Sequence, residues 1–244
     1  MSISDTHTAT PAAGEGATAA ILDWLARIGA GSVVELAGAS GLSVRATAGR
    51  LAALERGGAV RSARLLHGSP ALHTLTRRGL RAAGRPELEP LAVSAPCFAH
   101  LLAVARVASA LERGAGLTIG GERELRAWER LEGRPLASAE VGLARDGTVA
   151  LHRPDLVCWG EGLPLAIEVE LTVKAPVRLA TIVRGWARSR LVAGVVYYAA
   201  PAPARALARA IAGESAGERV VVAALEAAGE AAGLRVACSI PSAP

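Results

Sequence analysis

The sequence predicts an α+β, or mixed α/β, protein built from two parts. Residues 17–86 show three helical apolar patterns followed by two strand-like runs, and residues 95–244 alternate helical and strand-like patterns. Of the 244 residues, 51% are hydrophobic and 20% are charged, which is typical of a globular chain. Residues 1–16 are small and polar, which predicts a disordered tail. Pro86 and Pro90 stand among charged residues, which indicates a boundary with residues 87–94 as the linker.

Spacing and capping residues justify each element of the first part. The predicted elements are helices over residues 17–28, 33–39 and 44–56, hairpin strands over 59–66 and 71–76, and a short closing helix. Gly41 supplies the turn between the second and third helices, and Ser43 is a suitable N-cap for the third. Three helices followed by a hairpin is the order of a winged helix-turn-helix domain.

The third helix of such a domain enters the major groove of double-stranded DNA, and the hairpin lies along the backbone. We expect this helix to bury Val44, Ala48, Leu51 and Leu54, and to expose Arg45, Thr47, Arg50 and Arg56. The candidate DNA-binding residues are Arg45, Thr47, Arg50, Arg61 and Arg64.

The positive charge of the chain is concentrated in this first part. Between Ala17 and Pro86 there are ten arginines and three acidic residues, whereas the whole chain has a formal charge of +5. This excess favours DNA as the partner. Two alternatives stay open at this point: the arginines solubilise a small domain, or the winged helix serves as a protein-protein module.

The second part begins with two helices and continues with strands. Strand-like runs are predicted over residues 137–145, 148–159, 164–173, 191–200, 219–225 and 234–240, with further helices over 176–190 and 204–213. The Asp-Gly pair at 146–147 is a hairpin signal. Antiparallel strands first and crossover helices afterwards predict a mixed sheet with helices on both faces.

Three carboxylates lie in two of these strand-like runs. Glu168 and Glu170 share one face of their strand, and Asp155 can lie beside them on the preceding one. Three converging carboxylates repel one another unless a cation neutralises them, and oxygen ligands suit Mg²⁺ or Mn²⁺. The sequence therefore predicts a site for a divalent cation that activates water and stabilises charge on a phosphoryl group.

Lys174 is the only lysine among 27 basic residues and lies four positions after Glu170. As a compact charge it can position a water or a phosphate, or it can be an ordinary residue at a strand end. His152 is either a contact to a phosphate or the metal shell, or a solvated histidine. Arg178, Arg184 and Arg188 share one face of the following helix, where they either meet a DNA backbone or are simply exposed.

Pro154-Asp155 followed by Glu168-x-Glu170, in a helix, three strands, helix, strand order, resembles the PD-(D/E)XK nuclease fold with its α-βββ-α-β core. Together with the preceding winged helix, HxPD and ExExxxK resemble the replication-relaxation family over residues 17–225. The resemblance implies Asp155 and Glu168 as metal carboxylates, joined by Glu122 or Glu124 from the first core helix. The usual lysine position is occupied by Glu170. The resemblance leaves two alternatives: the glutamate acts at that position, or Lys174 takes the part of the lysine.

The resemblance implies a Mg²⁺-dependent endonuclease or nickase acting on plasmid or mobile-element DNA, with Asp155, Glu168, Glu170 and Lys174 as catalytic residues. The alternative is a non-catalytic transcriptional regulator or relaxosome accessory factor on the same fold. Relaxosome or replication proteins are then the implied protein partners, and a homodimer stays open.

Cellular location is predicted from what the sequence does not contain. The N-terminus has no basic start followed by an apolar stretch, and no uninterrupted apolar run reaches the roughly 18 residues of a membrane span. The three cysteines are scattered without a CxxC pair. We expect a cytoplasmic protein with no membrane contact, disulfide framework or zinc site.

Overall fold

The computed structural model describes residues 13–115 and 117–229 and is a mixed α+β protein. Its first elements are α1 (Ala13–Ile28), β1 (Ala30–Gly31), α2 (Val33–Ser40), α3 (Val44–Arg56), β2 (Val60–Ala63), β3 (Leu72–Leu75) and α4 (Arg77–Ala82). Helix α1 begins four residues before its expected start, so residues 13–16 are helical rather than part of a tail.

The capping signals of the first part act as expected. The Ser43 hydroxyl accepts the Ala46 N–H at 3.2 Å and caps α3, and Gly41 ends α2 in the left-handed conformation at φ 66°. Strands β1, β3 and β2 form an antiparallel sheet in that order, with β3 in the centre. Strands β2 and β3 are joined by a loop over residues 64–71, of which residues 64–68 are exposed.

The second part contains α5 (Ala95–Ala115), β4 (Thr118–Gly121), α6 (Glu122–Glu132), β5 (Ala139–Leu143), β6 (Val149–His152), β7 (Leu156–Trp159), β8 (Leu165–Glu170), α7 (Pro176–Arg188), β9 (Gly194–Ala199), α8 (Pro201–Gly213), β10 (Val220–Ala224) and a 3-10 turn (Leu225–Gly229). Five strands form one sheet in the order β10-β9-β8-β7-β4. Strands β10, β9 and β8 run parallel, whereas β7 and β4 pair antiparallel. The expected strand at residues 234–240 lies outside the described residues.

Two strand predictions were wrong. The run over residues 148–159 is two strands, because Pro154 has no N–H to donate and the chain turns there from the β5–β6 hairpin into the main sheet. Strand β4 was not expected, because its sequence Thr-Ile-Gly-Gly carries two glycines with low strand propensity. Gly121 is required there, since a Cβ would clash with the Arg27 carbonyl at the end of α1.

Helices cover both faces of the five-stranded sheet. On one face, α1 and α5 pack against β7 and β8 in a continuous apolar core that includes Leu25, Val107 and Ile167. On the other face, α7 and α8 pack through residues such as Trp186 and Leu207. The expected linker is packed as well, with Leu88 almost fully buried.

Helix α5 is a long helix that packs in this core. By length and composition alone, its segment Ala95–Arg113 would be able to cross a membrane, with a mean hydropathy of 1.2 and half of it buried inside the protein. A core helix meets the same criterion, and Phe98 and Leu111 of α5 are fully buried. This packing is consistent with a soluble protein.

Replacing either of two helical glycines by alanine should change the free energy of unfolding, in opposite directions at the two positions. A Cβ at Gly49 in α3 meets no atom within 4 Å, so Gly49→Ala should raise the free energy of unfolding by about 0.5–1 kcal/mol. A Cβ at Gly79 in α4 would overlap the Ala59 carbonyl oxygen, so Gly79→Ala should lower it by about 1–3 kcal/mol. Urea denaturation of both variants measures the two changes. A Gly79→Ala variant as stable as the wild type would contradict the close approach of α4 to Ala59, and a destabilised Gly49→Ala would contradict the open space at Gly49.

Candidate functional site

A cavity of about 490 Å³ lies where β6, β8, α5 and α6 meet, and it gathers most of the residues that the acidic motif indicated. Its charged and titratable lining residues are His100, Glu122, Arg126, His152, Arg153, Asp155, Glu168, Glu170 and Lys174. The four predicted catalytic residues are therefore brought together, although they come from three separate segments of the chain.

Asp155 reaches the cavity because β7 pairs antiparallel with β8. Leu156 is opposite Ile167, so the residue before β7 lies beside Glu168. The Val169 N–H donates to Asp155 Oδ2 at 2.8 Å, and Asp155 Oδ1 lies 2.9 Å from Nε2 of His100 on α5. Both carboxylate oxygens of Asp155 thus have a partner within the protein.

Glu168 is the most enclosed of the cavity carboxylates, at 4% exposure. Its Oε1 lies 2.6 Å from His152 Nε2 and accepts the Trp186 indole N–H at 3.2 Å. Burial raises the pKa of Glu168, and the bond to His152 opposes that shift. The imidazole thus compensates a carboxylate that would otherwise be costly to bury.

The two remaining cavity carboxylates are each paired with a cation. Glu170 forms an ion pair with Lys174, and Glu122 forms one with Arg126 on the next turn of α6. Burial lowers the pKa of Lys174, and the charges of Glu168 and Asp155 act in the opposite direction. Each of the four cavity carboxylates therefore has its own cationic partner.

The structure distinguishes between the two glutamates considered on α6. Glu122 lines the cavity, whereas Glu124 points away from it and is bonded to Arg85. Burial raises the pKa of Glu124, and the Arg85 guanidinium opposes the shift. Glu124 belongs to the contact between the end of the first part, at Arg85, and α6.

The predicted metal ligands fit a divalent cation in chemistry but not in arrangement. Carboxylate oxygens suit Mg²⁺ or Mn²⁺. However, Asp155 and Glu168 are bonded to histidines, and Glu122 is bonded to Arg126. Within residues 13–115 and 117–229, no group of three or more His, Cys, Asp or Glu side chains is arranged to hold a metal ion. The three-carboxylate centre is therefore not assembled in this structure.

The candidate DNA-binding helix is rotated relative to the sequence prediction. Thr47 is fully buried, and its hydroxyl donates to the Ser43 carbonyl at 3.0 Å, so it cannot contact DNA. Val44 is 49% exposed and Ala48 is exposed, although both were expected to be buried. A threonine that bonds back to its own helix can be buried without an unsatisfied hydroxyl, which the apolar pattern does not reveal.

The arginines predicted to bind DNA divide into two groups. Arg45 and Arg64 are exposed. Arg50 is half-buried and donates to the Thr18 hydroxyl of α1 at 2.8 Å. Arg61 donates to Thr74 on β3 and to the Leu91 carbonyl, so it holds the hairpin against the linker.

The further arginines on α7 are not equivalent to one another. Arg178 is exposed, and Arg184 makes a two-bond ion pair with Glu214. Arg188 lines a different cavity, beside the β5–β6 hairpin. All three side chains are exposed, and the guanidinium of Arg184 is already paired with Glu214.

Sequence reasoning missed His100 and Arg126. His100 is in α5, 55 positions before its partner Asp155, and no local motif marks it. Arg126 could have been found, because a glutamate and an arginine four residues apart on a helix commonly pair.

Neither the scan of protein-family models nor the search of curated proteins finds a match to this chain. The resemblance to the replication-relaxation family consequently stays a prediction.

The His100–Asp155 pair predicts a pH dependence of stability. The hydrogen bond to Asp155 raises the pKa of His100 above its ordinary 6.5, although burial opposes the shift. The folded protein therefore holds this proton more tightly than the unfolded chain. The stabilisation is fully present below pH 6.5 and is lost as the pH rises through the raised pKa.

Replacing the histidine tests this dependence. In His100→Gln, that loss of stability above pH 6.5 should disappear. The measurement is the unfolding free energy from urea titrations at a series of pH values. Parallel pH profiles for the wild type and the variant would show that the pair does not stabilise the fold. Asp155→Asn, which removes the partner instead, should flatten the same part of the profile.

Proposed function

We propose that this chain binds double-stranded DNA and that residues 17–86 form a winged helix-turn-helix domain. The order α1-β1-α2-α3-β2-β3, with a three-stranded antiparallel sheet, supports that assignment. In this proposal α3 lies in the major groove, and the loop between β2 and β3 contacts the phosphate backbone.

The observation that carries the proposal is the exposed face of α3. Arg45, Ala48, Ala52 and Arg56 are exposed and recur at helical spacing, so they form one surface stripe. The small residues in its middle let the helix approach the floor of the groove, and the arginines at its ends supply base or phosphate contacts. Arg64 adds a cation on the hairpin loop.

The charge of the region favours DNA over a protein partner. Ten arginines and three acidic residues lie between Ala17 and Pro86, and such an excess attracts a polyanion over a distance. The resemblance noted above extends the proposal to plasmid or mobile-element DNA. The second part would then be a nuclease-like domain in a non-catalytic regulator or accessory factor.

Arginine substitutions on the exposed surface test DNA binding. Arg45→Ala should weaken binding to a selected duplex by about 1–3 kcal/mol if the side chain reads a base edge. Arg64→Ala should weaken binding to all sequences and lower the salt slope by about one. Arg205→Ala, an exposed arginine of α8, is the control and should bind like the wild type. Fluorescence anisotropy over a range of salt concentrations measures both quantities.

A flat salt response in the wild type would contradict DNA binding and favour a protein-protein role. Equal losses in all three variants would show that only net charge matters, and α3 would lose its assignment as the reading helix.

The second candidate function is a divalent-cation-dependent endonuclease or nickase. One observation favours it: Asp155, Glu168 and Lys174 line the same cavity. When bound, a divalent cation would supply charge neutralisation at the phosphoryl group and an activated water. The pairing of each carboxylate with a cation counts against this candidate and in favour of the first.

Cleavage of supercoiled plasmid distinguishes the two candidates. We expect no nicking by the wild type in Mg²⁺ or Mn²⁺, with DNA retardation retained. Nicking that is lost in both Asp155→Ala and Lys174→Ala would instead establish the endonuclease. Mobile-element and unrelated plasmids serve as parallel substrates, so that a missing target sequence does not produce a negative result.

A further inference from the structure

The cavity neutralises its own acidic residues. Four carboxylates face it, and each is paired with a different basic side chain that also lines the cavity. The pairs are Asp155 with His100, Glu168 with His152, Glu170 with Lys174, and Glu122 with Arg126. Local compensation of this kind removes the repulsion that would otherwise require a bound metal ion.

In each of the four pairs the basic side chain is more exposed to solvent than the carboxylate. The side chain of His100 is 39% exposed against 18% for Asp155, and that of Lys174 is 28% exposed against 7% for Glu170. His152 is 21% exposed against 6% for Glu168, and Arg126 is 57% exposed against 44% for Glu122. Asp155, Glu168 and Glu170 therefore lie deeper than their partners, and basic side chains form more of the solvent-facing surface of the cavity.

We propose that this cavity is a metal-independent binding site for a phosphodiester group of the DNA backbone, with His100 and Lys174 as the contacting donors and the carboxylates beneath them as positioning residues. The choice of DNA as the source of the phosphate rests on the proposed function. A surface of N–H donors over buried acceptors holds an anion by charge-assisted hydrogen bonds. The carboxylates fix the donors in place before the anion arrives, which reduces the entropy lost on binding.

Opposite responses to substitution separate this site from a metal centre. In a metal centre, removing a carboxylate abolishes binding of the metal ion, and removing a neighbouring histidine frees a carboxylate to bind the metal ion. In the phosphate site, removing a cation weakens anion binding, and removing the charge of a carboxylate strengthens it. Asn and Gln substitutions keep side-chain hydrogen-bonding capacity while they remove the charge.

The first experiment measures duplex DNA binding by anisotropy in EDTA, with full-length protein. His100→Gln and Lys174→Gln should each weaken binding by about threefold to tenfold. Lys174→Gln should also lower the salt slope by about one. Glu170→Gln, which removes the negative charge beside Lys174, should tighten binding. Arg205→Gln, which removes an exposed positive charge outside the cavity, should leave binding unchanged. The proposal would be overturned if the Lys174→Gln and His100→Gln variants bound duplex DNA with wild-type affinity.

The second experiment needs no DNA and therefore tests the site even if the proposed function fails. Inorganic phosphate in EDTA should raise the melting temperature of the wild type, and this rise should disappear in His100→Gln and Lys174→Gln. MgCl₂ should produce no comparable rise. A Mg²⁺-dependent rise in melting temperature that Asp155→Asn abolishes would overturn the proposal in favour of a metal centre. A wild type whose melting temperature does not respond to phosphate would also overturn the proposal.

The two experiments distinguish failure of the site from failure of the proposed function. If phosphate stabilises the wild type but duplex DNA does not bind, the anion site stands and the choice of DNA is wrong. If DNA binds and Arg45→Ala weakens it while the cavity variants behave like the wild type, DNA binding stands and the cavity site is wrong. Circular dichroism of each unliganded variant confirms that it is folded.

Discussion

The buried carboxylate of Glu168 is the constraint on which the arrangement of the cavity depends. It lies on β8, the central strand of the five-stranded sheet, where an uncompensated charge would be strongly destabilising. The compensation comes from His152 on β6 and Trp186 on α7. One carboxylate thus attaches both the β5–β6 hairpin and α7 to the sheet.

The same requirement accounts for the other three cavity pairs. Charges grouped around one end of a sheet have to be neutralised together, because each one alters the pKa of its neighbours. The protein meets this requirement with imidazole, ammonium and guanidinium groups from α5, α6 and the segment after β8. The acidic motif and its counter-charges are therefore a single structural unit, whether its ligand is a phosphate or a metal ion.

The first part of the chain is firmly attached to this unit. Arg123 of α6 donates to the Leu25 and Ala26 carbonyls at the C-terminal end of α1, which satisfies helix-end groups that would otherwise lack partners. Gly121 lets β4 approach that end closely, and the Glu122 N–H donates to the Asp155 carbonyl at 3.0 Å. Helix α1, which Arg50 of α3 contacts through Thr18, and the residue that precedes β7, Asp155, are consequently joined through a few direct contacts.

Local patterns alone predicted much of this protein. The helices, most of the strands, the Ser43 cap and the shared face of Glu168 and Glu170 follow from spacing and from short-range hydrogen bonding, which act within a few residues. The position of Asp155 beside Glu168 also followed, because adjacent antiparallel strands are brought together by a short connection.

Tertiary structure decided the features that depend on residues far apart in the sequence. The buried face of α3 depends on the surfaces that α2 and β2 offer it, and so Thr47 is buried and Ala48 is exposed. The partners of the acidic motif come from helices far away in the sequence, and His100 is 55 residues from Asp155. The sequence determined that a group of carboxylates would need compensation. Only the packing of α5 and α6 against the sheet decided that side-chain cations would provide it, because a counter-charge is selected by distance in space and not by distance along the chain.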